Sequence, residues 1–495
     1  MTYSSRPGKV TQTRKPRRTQ ADRPQRTRRR WLVPVGVVIV VAVVGAVFVF
    51  AKARPPKTAG ERLLQEFDGS YPIAARPNGS VRTFELVAAP SQTPLVDGKV
   101  TEVWTYNGRV PGPELRVRRG ETVRVKFTNR LPQATTIHWH GVRVPNDMDG
   151  VPTAERPPIE PGNSFVYEFT PKDAGTFWYH PHHRSSEQVE RGLYGVLVVE
   201  DEAPPPYQKD VVWVMDDWRV DGDHQIDPSF NTLHDLAHDG RWGSVITVNG
   251  RTDTVLAASP GQRIRLRLLN AANGRVFAPD FGVLKPEVIA VDGLYARQPT
   301  PLERMEIAPG NRVDLDIVVP AAVALDVRVV DRFWPASVNS LAVIRSEGEP
   351  VRTPKFASPV KGKVPHYQEA VGVPPSVDFA LNARRGGTFG IEWTINGHAF
   401  PDHAHVPLPL GRWSRVRFRN ESARLHPIHL HGMFFHLLAR NQTPVDEPFF
   451  RDTVLIHGHE TVDVGLVPLD EGEWMMHCHI LEHAEAGMMT MLDVR

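Results

Sequence analysis

Most of the chain alternates apolar and polar residues with a period of two, the pattern of half-buried β-strands. Three stretches carry it most clearly and share one frame. Gly120 leads to Arg124 and Asn129, Gly261 to Arg265 and Asn270, and Gly411 to Arg415 and Asn420. Between each Gly and the Asn nine residues later, apolar residues alternate mainly with basic ones. An Asn-Gly pair starts 12–15 residues before each of these glycines, at Asn107-Gly108, Asn249-Gly250 and Asn396-Gly397. Asn-Gly favours tight hairpin turns. The copies stand 141 and 150 residues apart. This predicts an all-β protein of three tandem β-sandwich domains, over residues 80–202, 203–348 and 376–495. Ala203 and the three prolines after it punctuate the first boundary. The Pro- and Lys-rich stretch 349–375 has no clear periodicity and reads as a linker.

One segment breaks the alternation. Trp31 to Ala51 is apolar and free of charge, long enough for a membrane span of about 20 residues. Arg28, Arg29 and Arg30 precede it directly, so the N-terminus is expected in the cytoplasm and everything after Lys52 outside. Thr27 to Leu32 also resembles a twin-arginine export signal, and Ala51-Lys52-Ala53 offers a small-x-small cleavage site. The segment is therefore read as an N-terminal apolar helix, either an uncleaved membrane anchor or a cleaved export signal. The tail 1–30 carries eleven Lys/Arg against Asp22 alone and is expected to be disordered. Its +10 taken from the total of +3 leaves −7 for the remainder. The folded part thus has no basic surplus, and no nucleic-acid partner is expected.

The 495 residues include one Cys and 21 His. A single Cys excludes an internal disulfide framework, a Cys-based zinc finger, a CxxC redox pair and a Cys-ligated iron–sulfur cluster. The histidines are placed by the repeat. His138-Trp139-His140-Gly141 starts nine residues after Asn129, and His429-Leu430-His431-Gly432 starts nine after Asn420. Each of these domains has a second pair, His180/His182 and His477/His479, whereas the middle domain has none. Residues i and i+2 of a strand face the same way. Four pairs can therefore meet across an interface, and eight imidazoles suit a transition metal, copper being well matched. Cys478 lies between the last pair and must face the opposite way. His426, His483 and Met488 are available to it, and two His, a thiolate and a weak axial Met form a blue-copper ligand set. One strand then joins an electron collector to a histidine cluster, over on the order of 10–15 Å. The middle domain reads as a spacer.

Taken in order, these motifs resemble the multicopper oxidases, in particular the bacterial three-domain laccases and copper-efflux (cuprous) oxidases. The resemblance covers residues from about 80 to 495. It implies three cupredoxin-like Greek-key domains and four coppers per chain. The type 1 copper would take His426, Cys478 and His483, with Met488 axial, and the type 2 copper His138 and His429. One type 3 copper would take His140, His180 and His479, the other His182, His431 and His477. The implied reaction couples four one-electron oxidations to reduction of dioxygen to water. The implied partners are dioxygen and a small reductant: a phenol, an aryl amine or Cu(I).

Asp149, before Gly150, matches the family's acidic residue near the type 2 copper, implying proton delivery there; a simple turn Asp is the plainer reading. Asp452 matches an acidic position near the type 1 copper that could hold Cu(I) or an aryl substrate; a salt bridge with Arg451 is the plainer reading. Where related enzymes place a carboxylate after the last type 1 His, this chain has Ala484, with Glu482 and Glu485 nearby. That leaves the second proton route open. The 10 Met form no Met-rich insert, which favours laccase-like oxidation of phenols and aryl amines over a dedicated cuprous oxidase. An axial Met lowers the type 1 potential and so favours electron-rich substrates. A copper store or a non-catalytic cupredoxin scaffold is the remaining alternative, but storage requires no thiolate wired to eight histidines. His224, His234 and His238 read as loop residues and His398, His403 and His405 as surface residues. His183 is read as off the ligand face, and His457 and His459 as structural.

Overall fold

The computed structural model describes residues 58–68, 74–96, 98–321, 326–356 and 368–495. Trp31 to Ala51 and the basic tail lie outside them. Among the described residues, no helix is long and apolar enough to cross a membrane.

The three repeat runs form the strands Thr122–Asn129, Arg263–Asn270 and Ser414–Asn420. Each pairs in parallel with the first strand of its sheet, with Ala88, Met215 and Leu381 opposite the closing Asn. That Asn does the same work three times. Its amide donates to two carbonyls, of Gln133 and Ile159, of Arg275 and Ile307, or of Arg424 and His457. Its oxygen accepts from the N–H two residues on, of Leu131, Ala272 or Ser422. A buried chain turning out of a strand must pair its freed backbone groups, and this Asn supplies the partners. The Asn-Gly pairs are hairpin turns with positive φ at both positions, for example 56° and 74° at Asn107 and Gly108.

Each repeat folds as two sheets around an apolar core. One core gathers Phe127, Trp139 and Tyr179, the next Leu266, Phe277 and Leu315, and the last Phe418, Ile428 and Trp474. In the first and last domains the second sheet sets the two histidine pairs on neighbouring antiparallel strands. His138 opposes His180, and His429 opposes His477. The middle domain's matching contact is the two-residue strand Pro279–Asp280.

Two features lie outside the expected plan. The helix Ala59–Asp68 starts on a capping box, in which Thr58 Oγ1 accepts from Glu61 N–H and a Glu61 carboxylate oxygen accepts from Thr58 N–H. Its buried Leu63 joins Ala370 and Leu438, and Phe67 packs edge-on to Phe450. The expected linker is irregular only in part. Val351 and Thr353 bond back to Pro260 and Gly261 of the middle domain, and a short helix spans Gln368–Val371.

Candidate metal centre

Two facing strand pairs bring eight imidazoles together where the first and last domains meet. His138 stacks on His431 at 3.9 Å between ring centroids, and His140 on His429 at 3.7 Å. His182, His431 and His477 converge, with Nε2 of His477 3.2 Å from that of His182 and 3.1 Å from that of His431. His140, His180 and His479 form a second group of three, and His138 and His429 approach from the remaining side with His140.

The outward nitrogens of four of these rings meet backbone carbonyls. Nδ1–H donates from His138 to Asp149 O, from His180 to Pro181 O, from His429 to Asp452 O and from His477 to Cys478 O. The inward atoms His138 Nε2, His140 Nδ1, His180 Nε2, His429 Nε2 and both nitrogens of His479 are buried and have no hydrogen-bond partner among the described residues. Buried polar atoms left this way are costly. Several such imidazole nitrogens aimed at one another are accounted for by bound cations. Burial and mutual repulsion push the pKa of His140, His180, His182, His429, His477 and His479 below the ordinary range, and that of His431 to about 3. These rings are therefore neutral, the form that ligates a metal.

Cys478 faces the other way. It opposes Ile428 and lies in the last domain's core with Met488. Its Sγ is 3.6 Å from His426 Nδ1 and 3.7 Å from His483 Nδ1, and those two nitrogens are 3.2 Å apart. A triangle with sides near 3.5 Å has its centre about 2.0 Å from each corner, within the reach of metal–nitrogen and metal–thiolate bonds. Both rings are held from behind: His426 Nε2 pairs with Ser422 Oγ, and His483 Nε2–H donates to His238 O. Met488 is buried, and its carbonyl accepts from Cys478 N–H.

Asp149 is 3% exposed and accepts from His431 Nδ1–H at 2.8 Å. Burial raises its pKa, but His431 and His138 outweigh this and hold it well below the usual carboxylate range. Gly150 after it has φ of 79°, and a Cβ there would lie 1.9 Å from Ile137 O. The turn that aims Asp149 therefore needs glycine.

Asp452 is not where the sequence places it. It is fully buried, pairs with Arg312 at 2.6 Å and sits 3.3 Å from His140 Nε2, inside the eight-histidine site. Nothing outside can reach it, so it holds neither Cu(I) nor a phenol. Arg451 pairs with Glu447 instead. The local Arg-Asp-Thr motif carries no sign of this placement, because Asp452 lies against a residue 140 positions away.

The carboxylates near Ala484 separate. Glu482 turns to Arg241 N–H and Asn273, and burial raises its pKa to about 7. Glu485 lines a cavity of about 400 Å³ with His180, His182 and His477. Sequence reasoning also missed Trp393, whose ring lies 4.2 Å from His483 and 4.8 Å from His426. Its signal was weak, one Trp in an unremarkable strand. His457 pairs with Glu306, and His398 and His405 are exposed, as expected.

A neutral-imidazole cluster beside a separate thiolate–imidazole triangle, carried on cupredoxin-like domains, defines a protein built for redox-active cations. Comparison with known proteins agrees. Residues 89–204, 209–324 and 372–495 each match a multicopper oxidase domain family. The multicopper oxidase MmcO of Mycobacterium tuberculosis is 31% identical, covering 85% of this chain and 88% of that one. The crystal structure of a multi-copper oxidase from Pseudomonas thermotolerans superposes with a TM-score of 0.75 at 34% identity, covering 84% and 99%. A laccase-like multicopper oxidase from Ochrobactrum sp., described as active on lignin model compounds, superposes at 0.73 with 25% identity, covering 86% and 100%. The chain belongs to the multicopper oxidase family, and its cofactor is copper.

Proposed function

We propose that this chain is a laccase-like oxidase with four coppers, which passes electrons from phenols or aryl amines to dioxygen and releases water. One observation carries the reading: Cys478 Sγ belongs to one ligand group while its neighbours His477 and His479 belong to the other. The ligand assignment rests on the two groups above. His426, Cys478 and His483 would hold type 1 copper, with Met488 buried in the same core. His138 and His429 would hold type 2, and the two groups of three the type 3 pair. Copper supplies one-electron redox change at the first site and multi-electron dioxygen reduction at the second. The protein keeps the imidazoles neutral and aimed. Asp149 Oδ2 holds the His431 Nδ1 proton, and Glu485 brings a carboxyl group into the cavity wall. The domain boundaries 80–202, 203–348 and 376–495, and an extracytoplasmic location through residues 31–51 as anchor or export signal, form part of the same proposal.

The aryl preference is supported by the surface beside His483. The carbonyl of His238 accepts from its Nε2–H. From there Asp239 O accepts from Trp242 Nε1–H, and Trp242 lies 5.9 Å from Trp334, which is 48% exposed, and 6.2 Å from Phe333. A flat aromatic substrate can stack there. The second reading, a cuprous oxidase, is favoured by exposed His234 and His238, whose rings stack at 4.3 Å. The test compares kcat/KM for a methoxyphenol, Cu(I) and Fe(II) at matched oxygen, in wild type, Trp334→Ala and a His234→Ala/His238→Ala double variant. The aryl reading expects Trp334→Ala to lower phenol turnover about tenfold, the scale of one stacking contact, and to spare Cu(I). A loss confined to Cu(I) in the histidine variant, with phenol turnover the slower reaction throughout, would favour the second reading.

A further inference from the structure

We infer that the middle domain sets the geometry of the eight-histidine site, and that Arg312 is its positioning residue. This rests on the four-copper reading above. Arg312 has no exposed surface, and all five of its guanidinium N–H groups are directed to acceptors. Nε donates to Thr176 O of the first domain. Nη1 donates to Gly310 O and Asp452 Oδ1, and Nη2 to Asp292 O and Asp452 Oδ2. One middle-domain side chain thus bridges the two domains that own the histidines.

The bridge ends on the rings. Asp452, gripped bidentately, turns Oδ1 toward His140 Nε2, and its main-chain carbonyl accepts from His429 Nδ1–H. Asp292 accepts from the N–H groups of Asp452, Thr453 and Arg312. Asn311 Nδ2 donates to Asp292 and to Thr453 O. The start of the strand Thr453–Ile456 is therefore held by the middle domain, and that segment sets the angle of His429. Gly141, next to His140, leaves the room this requires: a Cβ there would lie 2.2 Å from Arg312 Nη2 and 2.5 Å from Asp452 Oδ2. Behind the type 1 triangle the rings are held by Ser422 and by the carbonyl of His238, a separate middle-domain contact in which Arg312 takes no part. The clamp acts on the histidine cluster alone.

Residues that orient metal-ligating imidazoles typically change metal affinity or activity by about 10- to 100-fold when altered. Arg312→Lys keeps the charge but cannot grip both oxygens of Asp452 while reaching Thr176. Asp292→Asn removes acceptor strength without emptying space. Both are made in the full-length, copper-loaded protein. Copper per chain, the blue type 1 absorption, the type 2 electron paramagnetic resonance signal and KM for dioxygen are measured. We expect an unchanged blue band and an unchanged rate of anaerobic reduction by a phenol. The type 2 signal should shift or be lost, and KM for dioxygen should rise about tenfold or more. An unaltered type 2 signal and KM in either folded variant overturns the inference. So does parallel loss of blue and type 2 signals in both variants, which would make Arg312 a general fold residue. A wild-type protein without a type 2 signal would instead remove the four-copper reading itself.

Discussion

Gly310→Ala is the sharpest probe of how tightly the histidine cluster is packed. Gly310 has φ of 87°, and a Cβ there would lie 2.9 Å from His479 Cδ2 and 3.0 Å from His140 Cε1. Carbon atoms settle at about 3.5–4.0 Å, so something must move by roughly 0.5 Å or more. His140 cannot retreat freely, because it stacks on His429 at 3.7 Å and its Nε2 faces Asp452. The left-handed backbone costs about 1–2 kcal/mol with a side chain, and overpacking about 1–3 kcal/mol. The total is roughly 2–5 kcal/mol, released by tilting the rings or backing the turn away. Metal sites tolerate ligand displacements of only about 0.2 Å, so a tilt large enough to relieve the contact weakens the group of His140, His180 and His479. The expected result is less copper per chain and a lower thermal midpoint, with the blue absorption retained because the Cys478 triangle is untouched. Metal analysis and scanning calorimetry on the same preparation check this. Full copper with an unchanged midpoint would refute the packing argument.

Cys478→Ser should abolish the blue absorption and nearly all turnover while sparing the copper held by the eight histidines; a persistent blue band would sink the assignment of the thiolate. Asp149→Asn should slow dioxygen uptake at least about tenfold and leave anaerobic reduction of the blue centre unchanged, since Asp149 contacts His138 and His431 and not the Cys478 group. Stopped-flow measurement of the two half-reactions distinguishes them, and equal slowing of both would contradict it. Glu190 is buried against Arg241, and burial, only partly offset by that arginine, raises its pKa to about 7. A carboxyl group raised in the folded state contributes stability below its unfolded pKa that is lost as pH rises through the folded value. A rise from the ordinary 4.5 to about 7 corresponds to on the order of 3 kcal/mol. Glu190→Gln should therefore gain on wild type in thermal midpoint between about pH 5 and about pH 8, and a constant gap across that range would contradict the shift.

Much of this protein is legible in the chain because it depends on direction along a strand. A period of two puts His138 with His140 and His477 with His479 on one face and turns Cys478 to the other, whatever the domain packs against. The repeated Gly and Asn positions are legible because they recur in each domain, and the Asn107 and Asn129 side chains are satisfied by backbone of their own domain. Asp452 shows where this stops. Its local motif pointed to the type 1 site, but its side chain is placed by Arg312 and the backbone before it by Asp292, both in another domain. The middle domain, without a histidine pair, read as a spacer for the same reason. Its Gly310, Asn311 and Arg312 bear no mark of the rings and carbonyls they meet. The facing of Glu482 and Glu485, and the gathering of Trp242 and Trp334, likewise depend on how chain segments dock. Side-chain alternation is a property of one strand's backbone. Which group stands behind a ligand is a property of three domains closing on one another, and only the packed structure decides it.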